Sequence, residues 1–345
     1  MMDTVCICGG GSLGHVIAGY LSAKKGLKVN ILTRRPERWS RTIEVVTPEG
    51  KVLNGSLHTV SGNPEEALHG ASIVLLCLPG YAIREELIRI RPYVNAQTYV
   101  GSVFSSTGFF FEAMEVLPED VPLWGFQRVP FIARTEMYGS KARLLGYKNG
   151  HKIAVERSAG KENFRAMVER LFDAPVRLLN NHYEASFTNS NPLLHPARLY
   201  SLFKDWNPDT YYDRQFLFYE EWTDEASEVL IQMDEELFRL LDKLPVAPGY
   251  LMPILPYYES TDAPSLTRKI RSIASFKGIA TPMIQTAVGW QPDLNSRYFQ
   301  EDFLYGLRYI HQEAHRQGVD VPVIDKVYEW GEVLIINAQL CKKEL

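Results

Sequence analysis

No apolar run in the sequence approaches the roughly 20 residues that a membrane-spanning helix needs, so no membrane segment is expected. Blocks of like charge, internal repeats and low-complexity tracts are all missing. A formal net charge of −4 gives no electrostatic reason to expect nucleic acid as a partner. Cysteine is scarce: Cys6, Cys8, Cys77 and Cys341 are the whole set. The first three lie in apolar, strand-like runs and read as buried thiols. Cys6 and Cys8 are separated by one residue and have no second pair, which excludes a redox or zinc motif built on them. No Cys/His/Asp cluster shows metal-ligand spacing, so no metal is expected. Reduced thiols suit a cytoplasmic protein. A glycine motif begins so close to Met1 that no signal peptide is expected before it. The terminal Lys342–Leu345 (KKEL) reads as a charged, frayed end.

What the chain does have is 46% hydrophobic and 23% charged residues, enough for substantial cores, and 345 residues, which suit two domains better than one. Thr4–Cys8 reads as a buried strand, 9–14 as a glycine-rich turn, His15–Lys24 as a helix and Lys28–Leu32 as a second strand: a βαβ unit. Ser72–Leu78 is continuously apolar, as a strand buried on both faces reads, and ends at Pro79-Gly80. Ala82–Ile90 looks helical, and Thr98–Ser102 and Val121–Phe126 are further strands. Ala142–Tyr147 and Lys152–Val155 either extend the sheet or form an edge hairpin. Beyond residues 178–190, amphipathic helical spacing dominates, over Asp224–Lys243 (Val229, Met233, Leu237, Leu240), Phe303–Gln317 and Pro322–Leu340. The expected fold is therefore α/β: a Rossmann domain with a parallel sheet over 1–180, and a mostly α-helical domain over 181–345 that supplies substrate-binding and catalytic groups at the cleft between them.

Gly9-Gly10-Gly11-Ser12-Leu13-Gly14 satisfies G-x-G-x-x-G in the strand–turn–helix context that gives this motif its meaning. Gly9 permits the turn, Gly11 lets a pyrophosphate approach the backbone, and Gly14 lets helix and strand pack. Ser12 and Leu13 then open a helix whose free N–H groups face the phosphates. Leu78 and Pro79, ending the next buried strand, are placed beside the same cofactor. Where a site for NAD(H) usually has an acid after the second strand, this chain has Thr33-Arg34-Arg35. Arg34 can pair with a 2′-phosphate, so NADP(H) is favoured over NAD(H).

Two later segments carry chemistry. In Asn191-Pro192-Leu193-Leu194-His195, Asn191 and His195 are four apart and share one helix face near its start. An amide beside an imidazole suits holding and protonating a carbonyl oxygen. In Arg297-Tyr298-Phe299-Gln300-Glu301-Asp302, an arginine able to clamp a carboxylate precedes an acid able to orient an imidazole. The basic stretch Arg268, Lys269, Arg271 and Lys277 reads mainly as a solvated face. The aromatic cluster Trp206, Tyr211, Tyr212, Phe216, Phe218, Tyr219 and Trp222 reads mainly as core, with a substrate pocket or a homodimer interface as alternatives.

GGGSLGH, NPLLHP, KGIATPM (Lys277–Met283) and RYFQEDFLYGL, in this order and spacing, resemble the octopine/nopaline (opine) dehydrogenase family over nearly the whole chain. The resemblance implies reductive condensation of a 2-oxo acid with the amino group of an amino acid, both small-molecule partners. It further implies His195 as catalytic histidine, Asp302 as the acid of its dyad, and Arg297 as the clamp on the substrate carboxylate. Asn191 would add a hydrogen bond to the carbonyl oxygen or the cofactor amide. The chain is on the short side for that family, and 125–134 follows its interdomain segment loosely, which leaves the amino acid unassigned. The rivals are a carbonyl reductase of the ketopantoate or glycerol-3-phosphate type, whose catalytic lysine has no counterpart near His195, and a non-catalytic NADP(H)-binding sensor.

Overall fold

The computed structural model describes residues 3–341, without the side chains of 338–341. The reading of Lys342–Leu345 and of the Cys341 thiol falls outside the described residues. The chain divides into two compact units, Met1–Thr188 and Asn189–Leu345.

The first unit contains strands β1 (Asp3–Cys8), β2 (Leu27–Leu32), β3 (Thr42–Val46), β4 (Val52–Ser56), β5 (Thr59–Ser61), β6 (Ile73–Leu76), β7 (Tyr99–Ser102), β8 (Leu123–Phe126), β9 (Phe131–Met137), β10 (Lys141–Tyr147), β11 (His151–Glu156) and β12 (Val176–Leu178). Its helices include α1 (Ser12–Ser22), α2 (Gly80–Ile90), α3 (Phe109–Val116) and α4 (Lys161–Phe172). The main sheet runs β12-β11-β8-β7-β6-β1-β2-β5. Its pairs are parallel except β8–β11, which is antiparallel. β6 is buried along its whole length, as an apolar run inside a parallel sheet must be.

Cys6, Cys8 and Cys77 are free and buried; a hydrogen bond with Cys6, then burial, raises the pKa of Cys8, and burial raises that of Cys77, holding both as inert thiols. The segment over Ala142–Tyr147 does not extend the main sheet. It forms β10 in a second sheet, ordered β4-β3-β10-β9, that packs on α1. The later run becomes β11 of the main sheet instead.

The second unit is built from α5 (Asn191–Phe203), α6 (Asp224–Leu241), α7 (Ala263–Ser272), the one-turn α8 (Arg297–Gln300), a π-helical turn over Phe303–Leu307, α9 (Arg308–Arg316) and α10 (Pro322–Cys341). Thr223 caps α6 by accepting the Ala226 N–H, and Asp262 with Ser265 forms a capping box on α7. On α6, Met233, Leu237 and Leu240 are buried as their spacing predicts, but Leu230 rather than Val229 completes the core face. Among the described residues, no helix is long and apolar enough to cross a membrane.

Candidate active site

In the first unit, the strand order reverses between β1 and β6, because the chain leaves β1 toward β2 and β5 and returns on its other side. Such switch points are where open α/β sheets bind ligands. The glycine loop leaves β1 at this place and is pinned there: Gly9 N–H donates to Leu32 O, and Cys77 N–H to Cys8 O. Gly9 has φ +118°, and a Cβ there would lie 2.6 Å from Cys77 O. At Gly14 a Cβ would strike the Gly9 carbonyl, so both positions exclude any side chain. Gly11 is the opposite case, with no atom within 4 Å of the place a Cβ would take. It is the N-cap of α1 and offers no side chain to the first helical N–H groups. An open approach over unsatisfied N–H groups fits the pyrophosphate of a dinucleotide.

The second sheet holds this loop. Thr135 N–H, on β9, donates to Ser12 Oγ at 3.1 Å. His15 Nε2 accepts the Gly139 N–H at 2.6 Å, so the ring proton sits on Nδ1 and is donated to Gly11 O at 3.0 Å. The ring stacks on Trp39 with centroids 4.3 Å apart, and burial lowers its pKa, which keeps it neutral. His15 thus orients the central glycine of the loop. Sequence reasoning had assigned it only to a helix, although it directly follows the third glycine. Leu13 packs on the core, Leu78 is half-buried beside Gly9, and Pro79 is exposed at the head of α2. Arg34 lies beyond β2, where its guanidinium pairs with Glu85 of α2 at 2.6 Å, both side chains exposed.

In the second unit, α5 and the segment around α8 bring distant residues together. Pro192 opens α5 and packs against Gly306, where a Cβ would lie 2.9 Å from its ring, so only glycine allows this approach. One helical turn further on, His195 Nδ1 meets Asp302 Oδ2 at 2.7 Å, with the two side chains only 7% and 13% exposed. A carboxylate can only accept, so Nδ1 carries the proton and Nε2 accepts from the Tyr219 hydroxyl at 2.9 Å. Asp302 immediately precedes the π-helical turn, whose Leu307 N–H closes on Asp302 O at 2.7 Å. Single π turns of this kind often mark functional sites.

Tyr298 stands edge-on to the His195 ring at 4.3 Å, and Phe218 stacks on Tyr298. Tyr219 is fixed through its backbone neighbours. The fully buried Arg198 donates from Nε to Phe218 O and from Nη2 to Glu221 O. Desolvation lowers its pKa to about 10, so it stays charged at neutral pH. The KGIATPM segment completes the support, with Phe218 N–H donating to Ile279 O and Thr281 N–H to Phe216 O. Burial pushes the Tyr219 hydroxyl pKa up, so it is a neutral donor.

Sequence reasoning left Tyr219 as one member of an aromatic cluster. Arg297 begins α8, exposed, and among the described residues no ion pair holds its guanidinium. Asn191 is half-buried at the first position of α5. In the basic stretch, Lys269 pairs with Glu259 and Arg271 donates to Trp222 O, which accounts for both structurally. One expectation is corrected: a His/Asp set with ligand spacing does exist, because His311 and His315, four apart on α9, meet Asp325 of α10. The H-x-x-x-H spacing of the two histidines is the local signal; the third member, Asp325, lies ten residues beyond His315 on the next helix.

Residues 178–335 match the family of the NAD/NADP octopine/nopaline dehydrogenase α-helical domain, and residues 5–105 match the ketopantoate reductase PanE/ApbA family. Tauropine dehydrogenase of Arabella iricolor is 28% identical over 97% of this chain and 92% of its own length. Octopine dehydrogenase of Pecten maximus is 25% identical over 100% and 94%. Among solved structures, octopine dehydrogenase with NADH and L-arginine superposes with a TM-score of 0.85 at 23% identity, covering 96% of this chain and 89% of that one. Yersinopine dehydrogenase with NADP+ bound gives 0.71 at 15% identity, covering 99% and 92%. The latter two likenesses establish the fold, a Rossmann domain followed by a helical domain.

Proposed function

We propose that this chain, which belongs to the opine dehydrogenase family, condenses a 2-oxo acid with the amino group of an amino acid and reduces the product to an N-(1-carboxyalkyl)amino acid. The observation that carries this reading is the His195–Asp302 pair, 107 residues apart in sequence and joined at 2.7 Å in a nearly dry setting. Condensation needs a group that takes a proton from the attacking amine and returns one to the departing carbonyl oxygen. His195, with Nδ1–H held by Asp302, presents the basic Nε2 for this work, and the carboxylate stabilises the imidazolium that results.

Tyr219 donates to Nε2 in the resting site. When His195 is protonated, the same hydroxyl must turn and accept, so Tyr219 is a positioning residue for the transferable proton. Removing its hydroxyl costs one hydrogen bond: Tyr219→Phe is expected to lower kcat roughly five- to tenfold with little change in KM for the oxo acid. Initial rates at saturating and limiting substrate check this; an unchanged kcat removes Tyr219 from the account.

The exposed guanidinium of Arg297 binds the oxo-acid carboxylate, and Asn191 donates to the carbonyl oxygen. A nicotinamide cofactor, when bound, supplies the hydride for the reduction. Gly9, Gly11, Ser12, Leu13 and Gly14, with Leu78 and Pro79, would hold it in the first unit.

NADP(H) is the preferred form on this reading. Arg34 stands where an acid would otherwise hold the ribose hydroxyls. Its pairing with Glu85 is exposed and worth only about 0–1 kcal/mol, so a 2′-phosphate can take its place. Arg34→Ala is expected to reduce the NADPH-over-NADH preference about tenfold, as loss of one exposed charge-assisted contact should. Comparing kcat/KM for the two cofactors checks it; an unchanged ratio places the 2′-phosphate elsewhere. The reaction itself is tested by mass spectrometry of the products formed from pyruvate, NADPH and an amino-acid pool. The reading requires a new species at the mass of an amino acid plus the oxo acid, less one oxygen. Simple reduction to a 2-hydroxy acid would replace it with the carbonyl reductase.

A further inference from the structure

We infer that His311, His315 and Asp325 form a binding site for a divalent transition-metal ion of the Zn²⁺ class, separate from the His195 dyad. His311 and His315 are successive on one face of α9, as i,i+4 spacing dictates. Their Nε2 atoms converge on a single oxygen of α10: Asp325 Oδ1 lies 3.2 Å from His311 Nε2 and 2.9 Å from His315 Nε2. One donor atom from each residue lies within 4.8 Å of the others, close enough for one ion to be shared among them. The imidazoles are 4.6 Å apart between centroids and inclined at 65°, and His311 is held by stacking on Tyr328 at 4.5 Å.

The donor set decides the ion class. Two imidazole nitrogens and one carboxylate oxygen suit Zn²⁺ and its neighbours, whereas Ca²⁺ and Mg²⁺ demand all-oxygen shells. The field is favourable, because Glu329 and Glu332, one and two turns after Asp325 on α10, add negative charge that acts on His311. Glu332 accepts the Tyr328 hydroxyl, which ties the stacked ring into the same cluster. Three protein ligands leave a further position for water.

The ion would bridge α9 and α10 across the short turn over 317–321. Its effect reaches the helix behind the dyad, since Trp330 of α10 packs on Tyr200 of α5 and on Phe299 and Phe303. On this reading the ion clips α10 to α9, with water completing its coordination.

The test uses the full chain, stripped with a chelator and titrated with Co²⁺ while its ligand-field absorption is followed. The expected result is one Co²⁺ bound per chain, displaced by Zn²⁺, with a metal-dependent rise in thermal midpoint. His315 is largely exposed, so His315→Ala leaves the fold intact and is expected to weaken Co²⁺ about a hundredfold and abolish the thermal shift. Asp325→Asn should weaken it similarly, while His58→Ala, an exposed histidine of the first unit, should not. No Co²⁺ binding by the wild-type chain, or binding unchanged in His315→Ala and Asp325→Asn, overturns the site.

Discussion

His195→Ala is expected to lower turnover by roughly 10²–10⁴-fold, the usual worth of a positioned general acid–base group. The size of the effect follows from what the imidazole does. On the proposed function the imidazole both takes and returns the proton, and Asp302 alone cannot replace it. KM for the cofactor should barely move, because the phosphate loop owes nothing to His195. Asp302→Asn tests the second half of the pair: an amide can donate to Nδ1, which would place the proton on Nε2 and remove the base, with a cost of the same order. Steady-state rates of both variants, with circular dichroism to establish folding, decide this. Near-normal turnover in His195→Ala would take the dyad out of the mechanism.

Arg297→Ala should show itself in the other kinetic constant. A guanidinium that binds a carboxylate through charge-assisted hydrogen bonds is worth about 1.5–3 kcal/mol, so KM for the 2-oxo acid is expected to rise roughly 10- to 100-fold. Among the described residues no ion pair occupies this side chain, and it is exposed, so its loss should not disturb the fold. Arg297→Lys should recover only part of the loss, because an ammonium keeps the charge and loses the planar fork. An oxo-acid KM that is the same in Arg297→Ala and wild type would mean that the carboxylate is held by another group.

Residues of the fold and the candidate site differ widely in how far a sequence reveals them. The phosphate loop could be read locally, because strand, glycines and helix are consecutive and each constraint acts over a few residues. β3 and β4 could not. They are short, their sequences TIEVV and VLNGS carry no long apolar run, and they join the second sheet only because β3 pairs with β10, with Glu44 opposite the far-distant Lys141. His195 and Asp302 were recognisable as chemical types, but only the resemblance to a family paired them, since no periodicity links residues so far apart. Tyr219 had no signal of its own. Its place depends on Arg198, buried three residues after His195, and on a backbone ladder with KGIATPM, neither of which any local pattern announces. The slip from Val229 to Leu230 on α6 has a simpler cause: a helical repeat of 3.6 residues lets either neighbour reach the core, and packing chooses.

On the proposed function, this site joins two substrates before it reduces. The most direct measurement is the initial rate of NADPH oxidation with a 2-oxo acid alone, with an amino-acid pool alone, and with both together. The account predicts oxidation only when both are present, saturable in each, and lost in His195→Ala. Equal rates with the oxo acid alone and with both would contradict it, and would make the enzyme a carbonyl reductase with no use for the amine.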